Sequence, residues 1–545
     1  VSERTELVVR AGAVITPDVL AGRVPAEPGF IAMRDGVIVA VGAADAADAW
    51  ADAADRVVDV AGGTVTAGIV DAHIHPIMGL QMTRGVDLSG IREWDAVRAA
   101  LAAWVGETDE PWIFGWGLDP IVFGAAEPSF ALFDGIGDGR PAYVTMFDGH
   151  SALASREAIG IAGVTGDETF ADASSVAVDP DGRPTGLLLE ISAQSLVWPH
   201  LPEQTFEERV EALGAVFRGM AEVGITSGQM LDLSAPDSFE LLEELERRGE
   251  LPIRLRISPW VMPGFAEGDL ERFAALQGRA GRRWHVTGIK LMIDGTIDNG
   301  TAWLYEPDTR GESTESLWLD EAQYAEAVAF FHGRGIPTTT HAIGDRGIGF
   351  VAETLAAQAP NGTVHRIEHI ETLPDHVLEL MVRAGVAASM QPTHCTLYSR
   401  ADHTDNWSQR LGDERADRAW RIGDLRARGV IVALGSDWPI APYDPRATLA
   451  SATLRRPAGR PDLEPVQPSQ ALSRAAALEG HTSEWWRSVG EQGGTIEVGM
   501  PADLTVFADD PLTTDPDAFA TSPVLLTVVD GAVVVDPADV LAPRG

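Results

Sequence analysis

Eight short apolar runs alternate with helical stretches through the middle of this chain, and that alternation constrains its fold more than any other feature. The runs occupy 67–75, 224–231, 252–261, 286–294, 336–344, 363–370, 385–394 and 429–438. Between them lie segments such as DSFELLEELERRG, with apolar residues at helical spacing. Eight βα units point to an α/β fold of the (β/α)8 TIM-barrel type. Several runs end on the same kinds of side chain. His73 and His75 close the first, Lys290 lies in the fourth, His341 and His369 close the fifth and sixth, and Asp437 closes the eighth. A parallel barrel gathers its strand ends at one mouth, so residues hundreds of positions apart can meet there.

The two ends of the chain have a different texture. ELVVRAGAVIT, GFIAMRDGVIVAVG and RVVDVAGGTVTAG near the start, and DLTVFADDP and VLLTVVDGAVVVD near the end, read as strands with DG hairpin turns. The expected organisation is a small β-sandwich from both termini (1–66 and 482–545) around the TIM-barrel domain (67–481). Residues 77–222 separate the first run from the second by far more than an ordinary barrel connection. They are expected to form an inserted subdomain that hangs over the mouth as a lid.

The strand-end residues are metal-ligand types. In His73-x-His75, residues i and i+2 share one face of a strand, as two imidazoles on one ion require. Alone, such a pair is as well explained by a structural histidine. Lys290 lies among Ile289, Leu291, Met292 and Ile293, and a buried ammonium is costly unless paired. It can salt-bridge Asp294, or lose its proton and take up carbon dioxide as a carbamate that bridges two metals. His341 and His369 suit a second ion, with His365, at the start of the same strand as His369, as a competitor. Asp437 can bind metal and take a proton from water, or cap a helix before Pro439. The set carries more weight than any member.

Composition narrows the remaining classes. With 41 Lys plus Arg against 81 Asp plus Glu, the formal charge of −40 argues against nucleic acid and anionic membranes, which need positive patches. No run of about 20 apolar residues is present, as a spanning helix needs. The single cysteine, Cys395, fits a reducing compartment and takes no chemical role here. VSERTELVVR shows no basic segment followed by an apolar one, so the expected location is cytoplasmic.

Together, DAHIHP, GWGLDP, FDGHSALAS, PTGLLLE, GIKLMIDGTIDNGTAWL, HAIGDRG, HRIEH, GSDWP and VGMPADLTVF resemble the amidohydrolase superfamily, over nearly the whole chain. The resemblance is to its family-3, YtcJ-like branch, which includes N-substituted formamide deformylases. It implies a distorted barrel, a β-sandwich of both termini and one or two divalent ions, with zinc expected although iron, manganese and cobalt suit the same donors. It further implies that His73, His75 and Asp437 hold a buried ion. A carboxylated Lys290 would bridge, and His341 with His369 would hold a more exposed ion. GWGLDP departs from the branch pattern after GW, which leaves Asp119 without an assigned role.

The implied reaction is hydrolysis of a non-peptide C–N bond in a small molecule by metal-activated water, with Asp437 moving the proton. An N-substituted formamide is the expected type of substrate. The rival within the superfamily is a one-metal deaminase or a cyclic-amide hydrolase, and HAIGD lacks the HxxE expected of the deaminases. A non-catalytic assembly subunit is disfavoured because every expected ligand is present. Candidate substrate contacts are Trp116, Asp148, His150, Asp294, Trp303, Arg346, His394 and Trp438, with Phe147 beside them in FDGH. Relatives are commonly dimers, so a homodimer is expected.

Overall fold

In the computed structural model, which describes residues 5–536 apart from Ala125 and Ser234, each of the eight apolar runs contains one strand. These strands are Ile69–Ile74, Ile225–Met230, Arg254–Ile257, Ile289–Met292, Thr338–Ala342, Arg366–His369, Ala387–Met390 and Val432–Leu434. Nearly every residue in them is buried, because helices cover a parallel sheet and leave it no wet face.

The first three strands join Trp284–Val286 in a four-stranded parallel sheet, and the other five form a second parallel sheet in chain order. Parallel bridges tie the two sheets at both edges, Trp260 to Lys290 and Ile74 to Trp438. At the second edge Asp437 N–H donates to His73 O and His75 N–H to Trp438 O, both at 2.8 Å. Backbone bonds thus bring the first and last of these strands together, with His73, His75 and Asp437 at the junction.

The covering helices follow from their patterning. Phe206–Glu222 starts at a capping box in which Thr205 and Glu208 satisfy each other's backbone amides. It buries Val210, Leu213, Phe217 and Met220 against the strands. This helix therefore belongs to the layer around the parallel sheets, although it falls inside the segment 77–222 read as the insert. The insert's own six-stranded sheet runs only from Val86–Asp87 to Pro184–Leu189.

The two ends of the chain meet in one hydrogen-bonded seven-stranded sheet, whose N- and C-terminal strands share one apolar core. The reason is the 14-residue strand Ala54–Ala67, which pairs with Thr5–Val14 along its length and with Leu504–Phe507 at its end. The expected second boundary also shifts. Ser483–Ser488 packs on the parallel sheet, where Trp485 meets Val70, Ala72 and Ala433, so the terminal sheet resumes only at Leu504. The outermost residues of both terminal segments, 1–4 and 537–545, lie outside the described residues. No helix among those described is long and apolar enough to cross a membrane.

Arg254 pins the terminal sheet to the parallel core. Its Nε donates to Asp503 at 2.9 Å and its Nη2 to Asp530 at 2.8 Å, while Asp503 also accepts the Asp530 amide at 2.7 Å. Asp503→Ala removes the better-buried partner and should cost up to about 3 kcal/mol, read as a lower denaturation midpoint of the full chain.

Two histidines away from the metal-ligand candidates predict acid sensitivity. Burial pushes His365 and His481 down to about 4, in His365 with help from neighbouring His332. Below pH 6.5 the unfolded chain takes up protons that the folded chain refuses. Stability should therefore be full above about pH 6.5 and fall as pH drops towards 4, by about 3 kcal/mol per histidine. His481→Gln should flatten that part of a stability–pH curve; an unchanged slope would count against this origin.

Candidate metal centre

The strand Ile69–Ile74 carries Asp71 and His73 on one face, and His75 continues that face as the chain turns at Pro76 into the helix Pro76–Met82. Asp232 holds this turn by accepting the amides of Ile77 at 3.1 Å and Met78 at 2.9 Å. Asp71 fastens the closing edge. It accepts the amides of His73 and Ser436 and the Ser436 hydroxyl at 2.6 Å. Burial pushes its carboxyl up to about 7, opposed by the Ser436 hydrogen bonds.

The six ligand candidates meet in one buried cluster. His73 Nε2 lies 3.1 Å from His75 Nε2, 3.3 Å from Lys290 Nζ and 3.3 Å from Asp437 Oδ1, and His75 Nε2 lies 3.2 Å from Asp437 Oδ1. His369 Nδ1 is 3.9 Å from Asp437 Oδ2. The His369 ring sits 4.8 Å from the His73 ring and 4.5 Å from the His341 ring, centre to centre. His73, His369 and Asp437 each offer a donor atom within 4.8 Å of the others. That triad crosses the expected division, which put His73 and Asp437 on one ion and His369 on another.

The donor chemistry fits a divalent cation. Ligands about 2.0–2.1 Å from a tetrahedral ion sit about 3.3 Å from one another, the spacing seen around His73. His73 Nδ1 faces Glu368 Oε2 at 2.7 Å, which puts the proton on Nδ1 and leaves the Nε2 lone pair towards the cluster. His369 Nδ1 faces Gln391 Oε1 at 2.9 Å with the same result. Asp437 Oδ1 and His394 Nε2 are buried without a hydrogen-bond partner. Burial, reinforced by neighbouring cationic groups, holds His73, His341 and His369 well below the ordinary histidine value, so they are neutral and able to ligate. Burial also brings Lys290 down to about 8, against the pull of Glu368 and Asp437.

The backbone is strained at three site residues. His369 (φ 70), Asp437 (φ 61) and Glu190 (φ 65) all lie in the left-handed region that non-glycine residues avoid. His369 ends a strand, Glu190 starts a helix, and Asp437 lies three residues past the end of the strand Val432–Leu434.

Part of the insert reaches the cluster. The His150 ring lies tilted 4.7 Å from the His341 ring, centre to centre, and its Nδ1 meets Glu190 Oε2 at 2.8 Å. Burial disfavours charge on His150, but the Glu190 carboxylate lifts it to about 9. Asp148 accepts from Thr296 Oγ1 at 2.6 Å and Asn299 Nδ2 at 2.5 Å. Asp148, His150 and His394 line two small cavities over the cluster, of about 40 and 30 Å³, together with Phe147, Asp298, Glu371 and Tyr398. Burial pushes Glu371 up to about 8 and Asp298 well above the carboxylate range.

Five expected substrate contacts lie elsewhere. Asp294 spends both carboxylate oxygens on the amides of Trp303, Ile343 and Gly344, a latch between loops. Trp303 packs on Phe350, and Arg346 lies over Trp303 and reaches Glu353. Trp116 is in the insert strand Ile113–Leu118, and Trp438 packs on Tyr443 and over Gly79. None lines the cavities over the cluster. Strand-end position alone does not say which way a side chain points. Asp119 pairs with Arg92, and His365 bonds His332 away from the cluster. Cys395 is buried in an apolar cluster with its thiol pushed up to about 11 by burial.

Sequence reasoning missed Glu368, Gln391 and Glu190. Two carried a signal. Arg366 and Glu368 alternate inside a buried run, where Arg366 Nε donates to Glu368 Oε1 at 2.9 Å. Glu190 ends the run GLLLE, as the ligands end theirs.

Purified protein should hold a divalent metal, and His73→Ala or Asp437→Ala should lose most of it by elemental analysis. Glu368→Gln should weaken metal retention about 10–100-fold in a chelator competition. Full metal content in all three variants would rule out this cluster as the binding site.

A family model described as the amidohydrolase family matches residues 56–535. Among curated proteins, the chain is 27% identical to LONG AFTER FAR-RED 3 of Arabidopsis thaliana, covering 92% of this chain and 87% of that protein. It is 25% identical to "Putative amidohydrolase YtcJ" of Bacillus subtilis, over 92% and 95%. It is 23% identical to N-substituted formamide deformylase of Arthrobacter pascens, over 87% and 89%. A crystal structure of a metal-dependent hydrolase from Pyrococcus horikoshii shares the fold, with a TM-score of 0.71 at 22% identity, covering 94% of this chain and 99% of that one. With the family model spanning most of its length, this chain belongs to the amidohydrolase family.

Proposed function

We propose that the two parallel sheets form one (β/α)8 barrel and that the cluster at their strand ends hydrolyses a C–N amide bond in a small molecule. The observation that carries this reading is the convergence of His73, His75 and Asp437 within 3.3 Å of one another at the edge where the first and last strands meet. His341, His369 and Lys290 complete the ligand set, and zinc is the metal we assign. A bound divalent ion supplies an acidified water and a Lewis acid for the carbonyl.

The chain's own groups supply the proton movement. Asp437 accepts the water proton on Oδ2, while Oδ1 faces His73 and His75, and passes it to the leaving nitrogen. His394 Nε2, 3.8 Å from Asp437 Oδ2, lies on the cavity side of that carboxylate. Glu368 and Gln391 fix the tautomers of His73 and His369, so these rings need no rearrangement during the reaction. Lys290 as a carbamate removes the repulsion that an ammonium 3.3 Å from His73 Nε2 would exert on a cation. The substrate is read as a neutral amide, an N-substituted formamide in the first instance because the Arthrobacter relative bears that name. A cytoplasmic location goes with this reading, through the single cysteine.

Metal-loaded protein should release amine from simple N-alkyl formamides, and Asp437→Asn should lower kcat on the order of 10²–10⁴-fold. Adding bicarbonate during metal reconstitution should raise recovered activity if Lys290 is carboxylated. Turnover of esters or ring amidines alone, with no amide cleaved, would refute this assignment.

A further inference from the structure

The two cavities over the cluster, about 40 and 30 Å³, have room for a carbonyl and a few waters but not for the rest of a substrate. A third cavity of about 540 Å³ lies beside them, within the range of small-molecule pockets. It shares Met78, Gly149 and Ile191 with the 30 Å³ cavity, which touches His75, Lys290, His341, His369 and Asp437. We propose that this larger cavity receives the uncharged apolar substituent of the scissile amide. The inference rests on the amide-hydrolysis reading and extends it to substrate class.

The walls favour such a group. Leu80, Met82, Ile191, Trp198 and Leu201 supply apolar surface. The two cations present are already engaged, and the remaining carboxylate, Glu203, is exposed. Arg209 pairs with Asp237, while Arg84 donates to Pro202 O at 2.7 Å and lies 4.0 Å over the Phe114 ring. No cation among these waits for a carboxylate. A cavity of similar size, about 510 Å³, is lined by the ion pairs Arg310–Glu127 and Arg410–Glu312 and by Glu190 and Asp298, a charged wall unsuited to an apolar group. It shares only Asp298 with the 40 Å³ cavity and no residue with the 30 Å³ one.

The junction is narrow and bounded by flexible side chains. Gly149 has φ +71, and a Cβ there would lie 2.6 Å from Met82 Cε and 3.1 Å from Ile440 Cδ1. The smallest residue thus stands where the cavities adjoin, beside methionines that re-pack readily.

The test uses two homologous series on metal-loaded, full-length protein, N-alkyl formamides and N-methyl alkanamides, which lengthen the amine or the acyl side. In one series kcat/KM should climb by about fourfold per methylene over the first several carbons, and which series climbs identifies the side that enters the cavity. Ala235→Trp fills the cavity wall. Gln81→Trp, at an exposed rim position, obstructs it without touching the core. Both should cut the hexyl-to-methyl ratio at least tenfold. A non-reacting probe, 1-hexanol against 1-propanol, should show the same chain-length preference in calorimetric binding and lose it in both variants. Flat series, or a slope unchanged in both variants, would overturn the inference while leaving amide hydrolysis intact. Absence of any amide turnover would overturn the functional reading instead, and the alcohol-binding arm would then decide the cavity's role by itself.

Discussion

Everything about this site follows from taking imidazoles, a carboxylate and a lysine out of water and aiming them at one point. His73 is fully buried, and Asp437 and Lys290 nearly so. In low dielectric, unpaired charge is expensive. The cluster's electrostatics are what a cation at the centre would resolve. Neutral imidazole lone pairs face inward, an acid oxygen lacks a partner, and the lysine is pressed towards its uncharged form.

A surrounding layer of hydrogen bonds keeps that arrangement in place. Glu368 is gripped by Arg366, whose Nη2 also donates to Ala72 O at 2.9 Å, so the proton position on His73 is tied to the strand beside it. Asp71 with Ser436 holds the closing edge, Asp232 the turn after His75, and Asp294 the loops after two neighbouring strands. The strained backbones of His369, Asp437 and Glu190 persist inside this frame because the packing and hydrogen bonds around them over-determine their conformation. The insert adds a second layer through His150 and Glu190, which face His341 from above the strand ends.

Much of this was legible beforehand because two periodicities leave marks in a chain. Buried parallel strands read as apolar runs, and a residue that ends such a run sits at a strand's emerging end. That logic picked out His73, His75, Lys290, His341, His369 and Asp437, which the fold brings together. The same logic does not decide Trp116, Trp303, Arg346 and Trp438, which line neither small cavity, because position along a strand or loop says nothing about the direction of the side chain. It under-reached at Glu368 and Gln391, whose role is to touch a ligand and not to be one. The terminal strands were visible too, but their joining into one sheet depends on the unusual length of Ala54–Ala67.

By itself the sequence determined the local elements, the order of the strands and the identity of the groups available for chemistry, since these depend on patterning over a few residues. Tertiary structure alone decided which groups face one another, which acids serve as latches, and that a large cavity adjoins the small ones over the cluster. Those outcomes depend on contacts between segments up to hundreds of residues apart, such as His73 with Glu368 and Asp71 with Ser436. No local pattern encodes the direction or packing of such pairs.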